Sequence, residues 1–251
     1  MLARERRQSI VSVLQQRKSM TIAEISTMFN VSEETVRRDL VQLEIDNQIK
    51  RVLGGAFIGN VREALSFQLR REAKKEAKRH IAEIAAGFLK NGDTVFIDPS
   101  TTGLYIAENL HSFSNLTVIT CSQAIANALC GDGNNHLIVA GGKLDSELMC
   151  YTGMNTVETL SGYHADVAFV SCTGVSLDNG LTDSDECEAR IRSTMMRNAN
   201  RRYLIADLAK FGKTTMYRIA DIGAFDGVIC EAPLDSKWAK EFRKLGVEFF
   251  S

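Results

Sequence analysis

Residues 81–251 alternate between short apolar runs and longer stretches with the periodicity of an amphipathic helix. This alternation is typical of β-α-β units, in which parallel strands form one sheet and helices cover both of its faces. We therefore predict an α/β domain built on a mostly parallel sheet. The predicted strands are Thr94–Ile97, Leu116–Ile119, Leu137–Ala140, Val167–Val170, Tyr203–Ile205 and Val228–Cys230, and the predicted helices are Thr102–Leu110, Ser122–Leu129, Asp185–Asn198 and Ser236–Leu245.

The first 60 residues have a different pattern, in which three short helices follow one another closely. The apolar side chains of Ala3–Arg17 form one stripe, which predicts an amphipathic helix. Thr21 and Glu24 have the spacing of a capping box and open a second helix, and Ser32 is placed to cap a third. Two helices joined by so short a turn are typical of a helix-turn-helix, whose second helix enters the major groove of DNA.

The third predicted helix presents arginines on its outer face. Val36, Leu40 and Leu43 have the i, i+4, i+7 spacing of an inner, apolar face. Arg37 and Arg38 therefore point towards solvent, where a planar guanidinium suits guanine edges and phosphates. A helical bundle with a solvated arginine pair is the alternative interpretation.

A small hairpin is predicted after the third helix. Ile49–Val52 and Ala56–Ile58 flank a turn at residues 53–55, whose two glycines allow a positive φ. We interpret this hairpin as the wing of a winged helix. At the start of the third helix, one of two adjacent glutamates is expected to read the amino group of a cytosine. The residues predicted to contact DNA are Thr21, Ser32, Glu33, Glu34, Thr35, Arg37, Arg38, Lys50, Arg51, Gly54 and Gly55.

The formal net charge of −1 hides an asymmetry along the chain. Residues 1–80 carry 16 basic and 10 acidic side chains, a net charge of +6, whereas residues 81–251 have a net charge of −7. This difference favours an N-terminal module that binds a polyanion, joined to an acidic body. Ordinary variation among short solvated helices is the alternative. Residues 59–77 predict a basic linker helix, which is either solvated only or couples the two domains.

Composition excludes several other classes of protein. No apolar run approaches the roughly 20 residues that span a bilayer, and Gln8, Ser9 and Ser12 interrupt any signal-peptide core. Six scattered cysteines without a C-x-x-C motif are expected to be buried thiols of a cytoplasmic protein rather than zinc ligands or disulfides. We predict no cofactor and no metal.

Polar residues follow the predicted strands at the edge where open α/β sheets bind ligands. Residues 98–102 place three hydroxyls at the start of a helix, which suits a phosphate or another anion, although helix capping alone is the alternative. Lys210 follows another strand and is suited to pair with a phosphate, although a solvated lysine would have the same pattern. The residues predicted to bind an effector are Asp98, Ser100, Thr101, Thr102, Thr120, Cys121, Ser122, Gly141, Gly142, Asp207 and Lys210.

Several of these segments resemble the signatures of one family. Residues 31–40 read VSEETVRRDL, and with Gly54–Ala56 they closely resemble the helix-turn-helix signature of DeoR-family bacterial regulators. Gly180–Thr182 and Asp207–Gly212 match further motifs, so that the resemblance covers nearly the whole chain. It implies a sensor domain similar in fold to ribose-5-phosphate isomerase and CoA transferases, which binds a sugar phosphate without turning it over.

Three departures from the family pattern bear on the ligand. Pro99-Ser100, Cys121 and Arg192 stand where the family commonly has a small residue with glycine, an asparagine and a lysine. Ser100 lacks the freedom of glycine at positive φ, and a thiol at residue 121 lacks an amide that could contact a sugar hydroxyl. The identity of the effector therefore stays open.

These observations predict a winged helix-turn-helix over 1–58, a linker helix over 59–77 and an effector-sensing α/β domain over 78–251. We predict a transcriptional repressor of carbohydrate or related catabolic genes, which a phosphorylated sugar releases from double-stranded operator DNA. Because winged helices usually read paired half-sites, we expect a homodimer or homotetramer.

Two other functions are alternatives. An isomerase-like enzyme fused to a DNA-binding domain would need a carboxylate base and an electrophile for the sugar carbonyl. The acidic candidates for that base, Asp98, Asp207, Asp185 and Glu186, do not form a clustered motif in the sequence. A constitutive architectural DNA-binding protein would leave the α/β domain unexplained. We predict that the chain is not an enzyme.

Overall fold

The computed structural model describes residues 2–46, 48–52, 54–58, 67–131 and 133–251. The chain divides into two compact units, Met1–Lys75 and Glu76–Ser251. Among the described residues, every helix is too short or too polar to cross a lipid bilayer.

Short helices and a small sheet form the first unit. Thr21 Oγ1 accepts the Glu24 N–H at 3.1 Å, and Glu24 Oε2 accepts the Thr21 N–H at 2.7 Å, which confirms the predicted capping box. Ser32 Oγ accepts the Thr35 N–H at 3.2 Å and caps the third helix, as predicted. The elements are α1 (Ala3–Arg17), β1 (Ser19–Thr21), α2 (Ile22–Phe29), α3 (Glu33–Ile45), β2 (Lys50–Val52), β3 (Gly55–Phe57) and α4 (Phe67–Glu72).

The predicted hairpin is confirmed as β2–β3, and β1 extends it to a three-stranded antiparallel sheet. Strand β1 has three residues directly before α2, too few for an alternating pattern to show in the sequence. Val36, Leu40 and Leu43 of α3 are buried in one core with Ile10 and Leu14 of α1. The predicted inner face of α3 is therefore confirmed.

The described part of the expected linker helix is interrupted. Helix α4 ends at Glu72, and α5 (Lys75–Ala86) begins directly after Lys74, whose φ is 53°. Because a residue in the left-handed region cannot continue a right-handed helix, two helices stand where one was expected. Residues 59–66 of the expected linker lie outside the described residues.

A seven-stranded sheet forms the centre of the second unit. All of its neighbouring strands are parallel, in the order β15-β14-β12-β9-β4-β5-β6, which confirms the predicted parallel sheet. The strands of this sheet are β4 (Thr94–Ile97), β5 (Thr117–Thr120), β6 (His136–Val139), β9 (Ala165–Val170), β12 (Ala199–Ile205), β14 (Gly227–Ile229) and β15 (Glu248–Phe250).

Helices and two smaller sheets surround this sheet. One smaller sheet is the β7–β8 hairpin, and the other has the order β10-β11-β13; neither was predicted. The remaining strands are β7 (Lys143–Asp145), β8 (Cys150–Thr152), β10 (Gly174–Ser176), β11 (Gly180–Asp183) and β13 (Tyr217–Ala220). Besides α5, the helices are α6 (Thr101–Glu108), α7 (Gln123–Leu129), α8 (Met154–Ser161), α9 (Glu186–Arg197) and α10 (Ser236–Lys244), of which α8 was not predicted.

The central strands of the sheet are buried on both faces. Phe96 on β4 and Phe169 on β9 are inaccessible to solvent, and the β9 residues 167–170 are all buried. Continuous apolar runs of this kind are expected where helices cover both faces of a parallel sheet. The core therefore holds the carboxyl ends of β4 and β9 in fixed positions.

Candidate functional site

Helix α3 exposes two arginines, each paired with a glutamate one turn earlier. Arg37 Nη2 lies 3.0 Å from Glu33 Oε2, and Arg38 Nε lies 3.3 Å from Glu34 Oε1. The arginine side chains are 51% and 80% exposed. Exposed i,i+4 pairs contribute little to stability, so both guanidinium groups are able to exchange a carboxylate for another anion at low cost.

The hydroxyls predicted near the DNA take part in helix caps. Thr21 Oγ1 bonds to Glu24 within the capping box, and Ser32 Oγ lies 2.9 Å from Thr35 Oγ1. All three hydroxyl-bearing residues lie at the N-terminal ends of α2 and α3. Ser32 and Thr35 accordingly fix the start of the helix that carries the two exposed arginines.

A buried ion pair that the sequence interpretation missed fixes α3 against α1. Arg6 Nε donates to Asp39 Oδ2 at 2.6 Å, and Arg7 Nε lies 3.8 Å from Asp39 Oδ1. Asp39 is 6% exposed and lies on the inner face of α3, between Val36 and Leu43. An aspartate in register with apolar core positions was the available signal, because such a carboxylate needs a buried partner.

The predicted wing carries exposed basic side chains on β2. Lys50 and Arg51 are exposed, and Glu44 of α3 accepts the Arg51 N–H at 2.9 Å. Gly54 has a φ of 96°, so the glycine prediction holds at this turn. Gly55 is buried, and a Cβ there would lie 2.3 Å from the Met20 carbonyl oxygen. Gly55 therefore shapes the packing of the wing rather than its surface.

In the second unit, parallel pairing brings the predicted ligand loops to one edge of the sheet. Strands β4, β5, β6, β9 and β12 all end at this edge. The residues at or just after these strand ends include Asp98, Thr120, Gly141 and Asp207, together with Ser171 after β9. The convergence that the sequence predicted for four of these loops is confirmed.

The loop after β4 is organised around a buried carboxylate. Asp98 is inaccessible to solvent, and its Oδ1 accepts the Ser100 hydroxyl at 2.5 Å. Ser100 Oγ in turn accepts the Gly103 N–H at 2.9 Å and caps α6. Thr101 and Thr102 occupy the first turn of α6 and are buried. Ser100 thus has the capping role that was the alternative to anion binding.

Arg192 gathers three carboxylates beneath this loop. It donates through Nε to Asp98 Oδ2 at 2.7 Å, through Nη1 to Asp183 Oδ2 at 2.6 Å and through Nη2 to Glu188 Oε1 at 3.1 Å. All four side chains are at least nine-tenths buried. Burial lowers the pKa of Arg192, but the attraction of Glu188, Asp183 and Asp98 outweighs it and raises that pKa well above its ordinary value.

The acidic cluster differs from the one considered in the sequence. Asp185 caps α9 by accepting the Glu188 N–H at 2.9 Å, and Glu186 pairs with Arg190 at 2.7 Å on the exposed face. Both were candidate bases, and neither belongs to the Arg192 cluster. The i,i+4 spacing of Glu188 and Arg192 was the signal that could have identified it.

Ser171 connects Lys210 to the same carboxylate. Lys210 Nζ donates to Ser171 Oγ at 2.6 Å, and the Ser171 N–H donates to Asp98 Oδ2 at 3.0 Å. Asp207 Oδ1 accepts the Ala209 N–H at 3.1 Å and caps the short 3₁₀ turn that carries Lys210. The structure therefore brings Asp98, Ser100 and Lys210 into one hydrogen-bonded network, at the edge that the sequence predicted.

The loops after β5 and β6 differ in exposure. The loop after β5 is buried at Thr120, Cys121 and Ser122. Thr120 Oγ1 donates to the Ile97 carbonyl oxygen, and Ser122 Oγ caps α7. Burial raises the pKa of the Cys121 thiol well above its ordinary value. In contrast, Gly141 and Gly142 are exposed. Among the residues that the structure describes, no group of three histidine, cysteine or acidic side chains could hold a metal ion.

Known proteins resemble this chain along nearly all of its length. Regulator YulB of Bacillus subtilis, named as uncharacterised, is 35% identical over 94% of this chain and 91% of that protein. Repressor GlcR of Bacillus subtilis is 32% identical over 99% of this chain and 96% of that protein. The glycerol-3-phosphate regulon repressor of Escherichia coli is 31% identical over 91% of each protein.

Solved structures resemble the chain more distantly. Ribose 5-phosphate isomerase A from Methanocaldococcus jannaschii has 16% identity and a TM-score of 0.41, with coverage of 55% of each chain. The eIF2B delta structure from Chaetomium thermophilum has 16% identity and a TM-score of 0.47, with coverage of 66% of this chain and 60% of that one.

Two family models match the two units. The DeoR-like helix-turn-helix domain matches residues 6–60, and the DeoR C terminal sensor domain matches residues 73–232. The second match covers well over half of the chain, and the first begins within α1 and extends past β3. The chain therefore belongs to the DeoR family of DNA-binding transcriptional regulators.

Proposed function

We propose that this regulator represses genes of carbohydrate or related catabolism and that a phosphorylated sugar releases it from its operator. The observation that carries the proposal is the network of Asp98, Ser100 and Lys210 at the carboxyl edge of a sheet, in a chain that also has a winged helix-turn-helix. Two of the relatives are named as repressors, one of them of a glycerol-3-phosphate regulon.

DNA recognition is proposed to use α3 and the wing. Arg37 and Arg38 leave their glutamates and bind guanine edges or phosphates, and Lys50 and Arg51 contact the backbone from the wing. Glu33 or Glu34, once released, accepts a bond from a cytosine amino group. Paired half-sites require an even-numbered oligomer, a homodimer or homotetramer.

The effector is proposed to place its phosphate beside residues 100–102, with Lys210 as the cationic partner. Lys210 is bonded to Ser171 in the structure, and a phosphate offers a stronger, charged acceptor for the same ammonium group. Asp98 already accepts bonds from Ser100, Ser171 and Arg192. We therefore propose that Asp98 holds the loop in shape, and that Asp207 and the exposed Gly141–Gly142 backbone lie nearer to the sugar hydroxyls.

The buried carboxylates near the β4 loop are poorly placed to catalyse turnover of a sugar phosphate. A catalytic base must reach the proton that it removes, whereas Asp98, Asp183 and Glu188 are buried and already bonded to Arg192. Incubation of the full-length protein with ribose 5-phosphate, followed by assay for ketose formation, tests this point directly. Product formation above a protein-free blank would favour the isomerase-like alternative.

The proposal is tested by binding of sugar phosphates and by their effect on DNA binding. Thermal unfolding in the presence of glycerol 3-phosphate, glucose 6-phosphate and fructose 1-phosphate identifies a ligand, because a molecule that binds the native state raises the melting temperature. Gel-shift titration with an operator selected from random DNA then shows whether that ligand weakens the complex. A ligand that strengthens DNA binding would contradict the proposed release from the operator. We also propose a cytoplasmic location, which cell fractionation tests.

A further inference from the structure

Within the part of the chain that the structure describes, no strand pairs with the outer edge of β7 in the β7–β8 hairpin. Strand β8 pairs with β7 on one side, and on its other side the Tyr151 N–H donates to the Cys121 carbonyl oxygen at 2.8 Å. Because the backbone groups of successive residues alternate between the two edges of a strand, Cys150 and Thr152 direct theirs towards β7. The residues of β7 opposite these two are Asp145 and Lys143, which therefore face β8.

Leu144 consequently directs its N–H and C=O away from the hairpin. Among the described residues, none has a hydrogen bond to these two backbone groups. The Leu144 side chain is also 43% exposed. An exposed strand edge with free backbone groups is a template for the addition of another strand.

The side chains along this edge complement a second copy of themselves. In an antiparallel pair with a two-fold axis at Leu144, Lys143 lies directly opposite Asp145 of the partner subunit, on the same face of the sheet. The symmetry repeats this pair of opposite charges on the other side of the axis. Opposite charges at directly facing positions stabilise a strand pair, and Leu144 meets its own copy on the other face.

We propose that β7 pairs with β7 of a second copy of this chain, which gives a four-stranded antiparallel sheet across a two-fold axis. The inference rests on the even-numbered oligomer of the proposed function and assigns a surface to it. A three-residue strand alone is too small for a stable interface, which buries about 800 Å² on each partner. Met154, which is 65% exposed, begins α8 and is separated from β8 by one residue, and the proposed interface includes this apolar side chain.

This position connects the interface to the predicted effector loops. Gly141 and Gly142 directly precede β7, and Cys150 of β8 forms a β-bridge with Ser122. A ligand that moves either loop therefore displaces the hairpin.

Disulfide trapping tests the geometry. In a Cys130→Ser background, which removes an exposed thiol, Leu144→Cys is expected to form an intermolecular disulfide on mild oxidation. Directly opposed, hydrogen-bonded residues of an antiparallel pair have Cα atoms about 5.5 Å apart, within the range that a disulfide spans. Leu245→Cys, at another exposed leucine, is the matched control and is expected to remain uncrosslinked at the same protein concentration.

Charge reversal tests the pairing independently. Lys143→Glu places like charges opposite one another and is expected to raise the dissociation constant of the dimer about tenfold, measured by analytical ultracentrifugation. Adding Asp145→Asn should restore much of the affinity, because it removes the repulsion while its amide oxygen still accepts the Glu147 and Leu148 N–H groups. Circular dichroism confirms that each variant is folded.

Three outcomes are informative. The proposal is supported if Leu144→Cys forms the disulfide and Leu245→Cys does not. It also requires that Lys143→Glu weakens the dimer and that adding Asp145→Asn restores its affinity. An oligomer that is insensitive to all of these changes overturns it and leaves the proposed function intact. A wild-type protein that is monomeric at all concentrations contradicts both the interface and the even-numbered oligomer.

Discussion

Arg192 Nε donates to Asp98 Oδ2 at 2.7 Å, although 94 positions separate the two residues along the chain. The contact joins α9 to the end of β4, beside the loop that is predicted to receive the effector. Because the same guanidinium also bonds to Asp183 and Glu188, one cation is the shared hydrogen-bond partner of three buried acidic side chains. The shape of the β4 loop therefore depends on a residue far away in the sequence.

The substitution Arg192→Met is expected to lower the free energy of unfolding by about 3–5 kcal/mol, because it leaves buried carboxylates without a counter-charge. Urea unfolding measures this loss. Arg190→Met is the matched control on the same helix, since Arg190 is 58% exposed and pairs with Glu186 on the exposed face; a loss of about 0–1 kcal/mol is expected there. Equally small losses in both variants would show that the cluster does not stabilise the fold.

The sequence predicted six of the seven strands of the main sheet, and the central strands were the clearest because they are buried on both faces. The edge strand β15, which is partly exposed, was not predicted. Runs such as Val95–Ile97 and Val167–Val170 are uniformly apolar and differ clearly from the helices around them. Strands β7, β8 and β10 were missed because each has three residues of mixed polarity, so that neither an apolar run nor an alternating pattern shows in the sequence. Their positions depend on tertiary pairing rather than on local sequence.

The candidate site was only partly predictable for a related reason. Hydroxyls and glycines after strands are visible in the sequence, and parallel topology brings them together. The partners of Asp98 are not visible, because Arg192 and Ser171 reach it from other elements. Asp185 looked like a candidate base, but a carboxylate directly before a helix is usually a cap, which is its role here.

The pair of Arg6 and Asp39 is predicted to position α3. Asp39→Asn is expected to lower the stability of the first unit by about 3 kcal/mol, because Arg6 loses its buried counter-charge, and to weaken operator binding as α3 loosens. Asp46→Asn, at the exposed end of the same helix, should change both quantities little. A double-mutant cycle with Arg6→Met gives the coupling energy, and a value near zero would exclude a positioning role.

The exposed arginines of α3 are predicted to serve DNA rather than the fold. Arg37→Ala or Arg38→Ala should weaken operator binding by about 1–3 kcal/mol in gel-shift titrations at fixed salt. The melting temperature should stay nearly constant, because exposed pairs contribute little to stability. Arg17→Ala, an exposed arginine of α1, serves as a control. Undiminished affinity in both α3 variants would remove these residues from the interface.

The buried thiol of Cys172 is predicted to make the fold sensitive to alkali. Burial raises its pKa from 9.0 to about 12, although Lys210 and Arg192 lower it. Because the folded state favours the neutral thiol, this contribution to stability is complete below pH 9 and is lost as the pH rises from 9 to about 12. Between pH 9 and about 12, the free energy of unfolding should fall less steeply with pH for Cys172→Ala than for the wild type. The two slopes should differ by up to about 1.4 kcal/mol per pH unit. The exposed-site control Cys130→Ala should keep the wild-type slope, and identical slopes in all three proteins would refute the assignment.

Lys210 and Thr101 are predicted to separate effector response from DNA binding. Lys210→Ala removes the cation next to the β4 loop, and Thr101→Ala removes a hydroxyl from the first turn of α6; neither residue belongs to the helix-turn-helix unit. The double variant should bind operator with wild-type affinity. It should not release operator at effector concentrations that dissociate the wild-type complex, because a ligand shifts an equilibrium only by its differential affinity for the two states. Lys213→Ala, an exposed lysine three positions further on, is the matched control and should respond normally. Release of the double variant at the wild-type effector concentration would place the phosphate elsewhere, whereas loss of operator binding would show that these residues support the DNA-bound state itself.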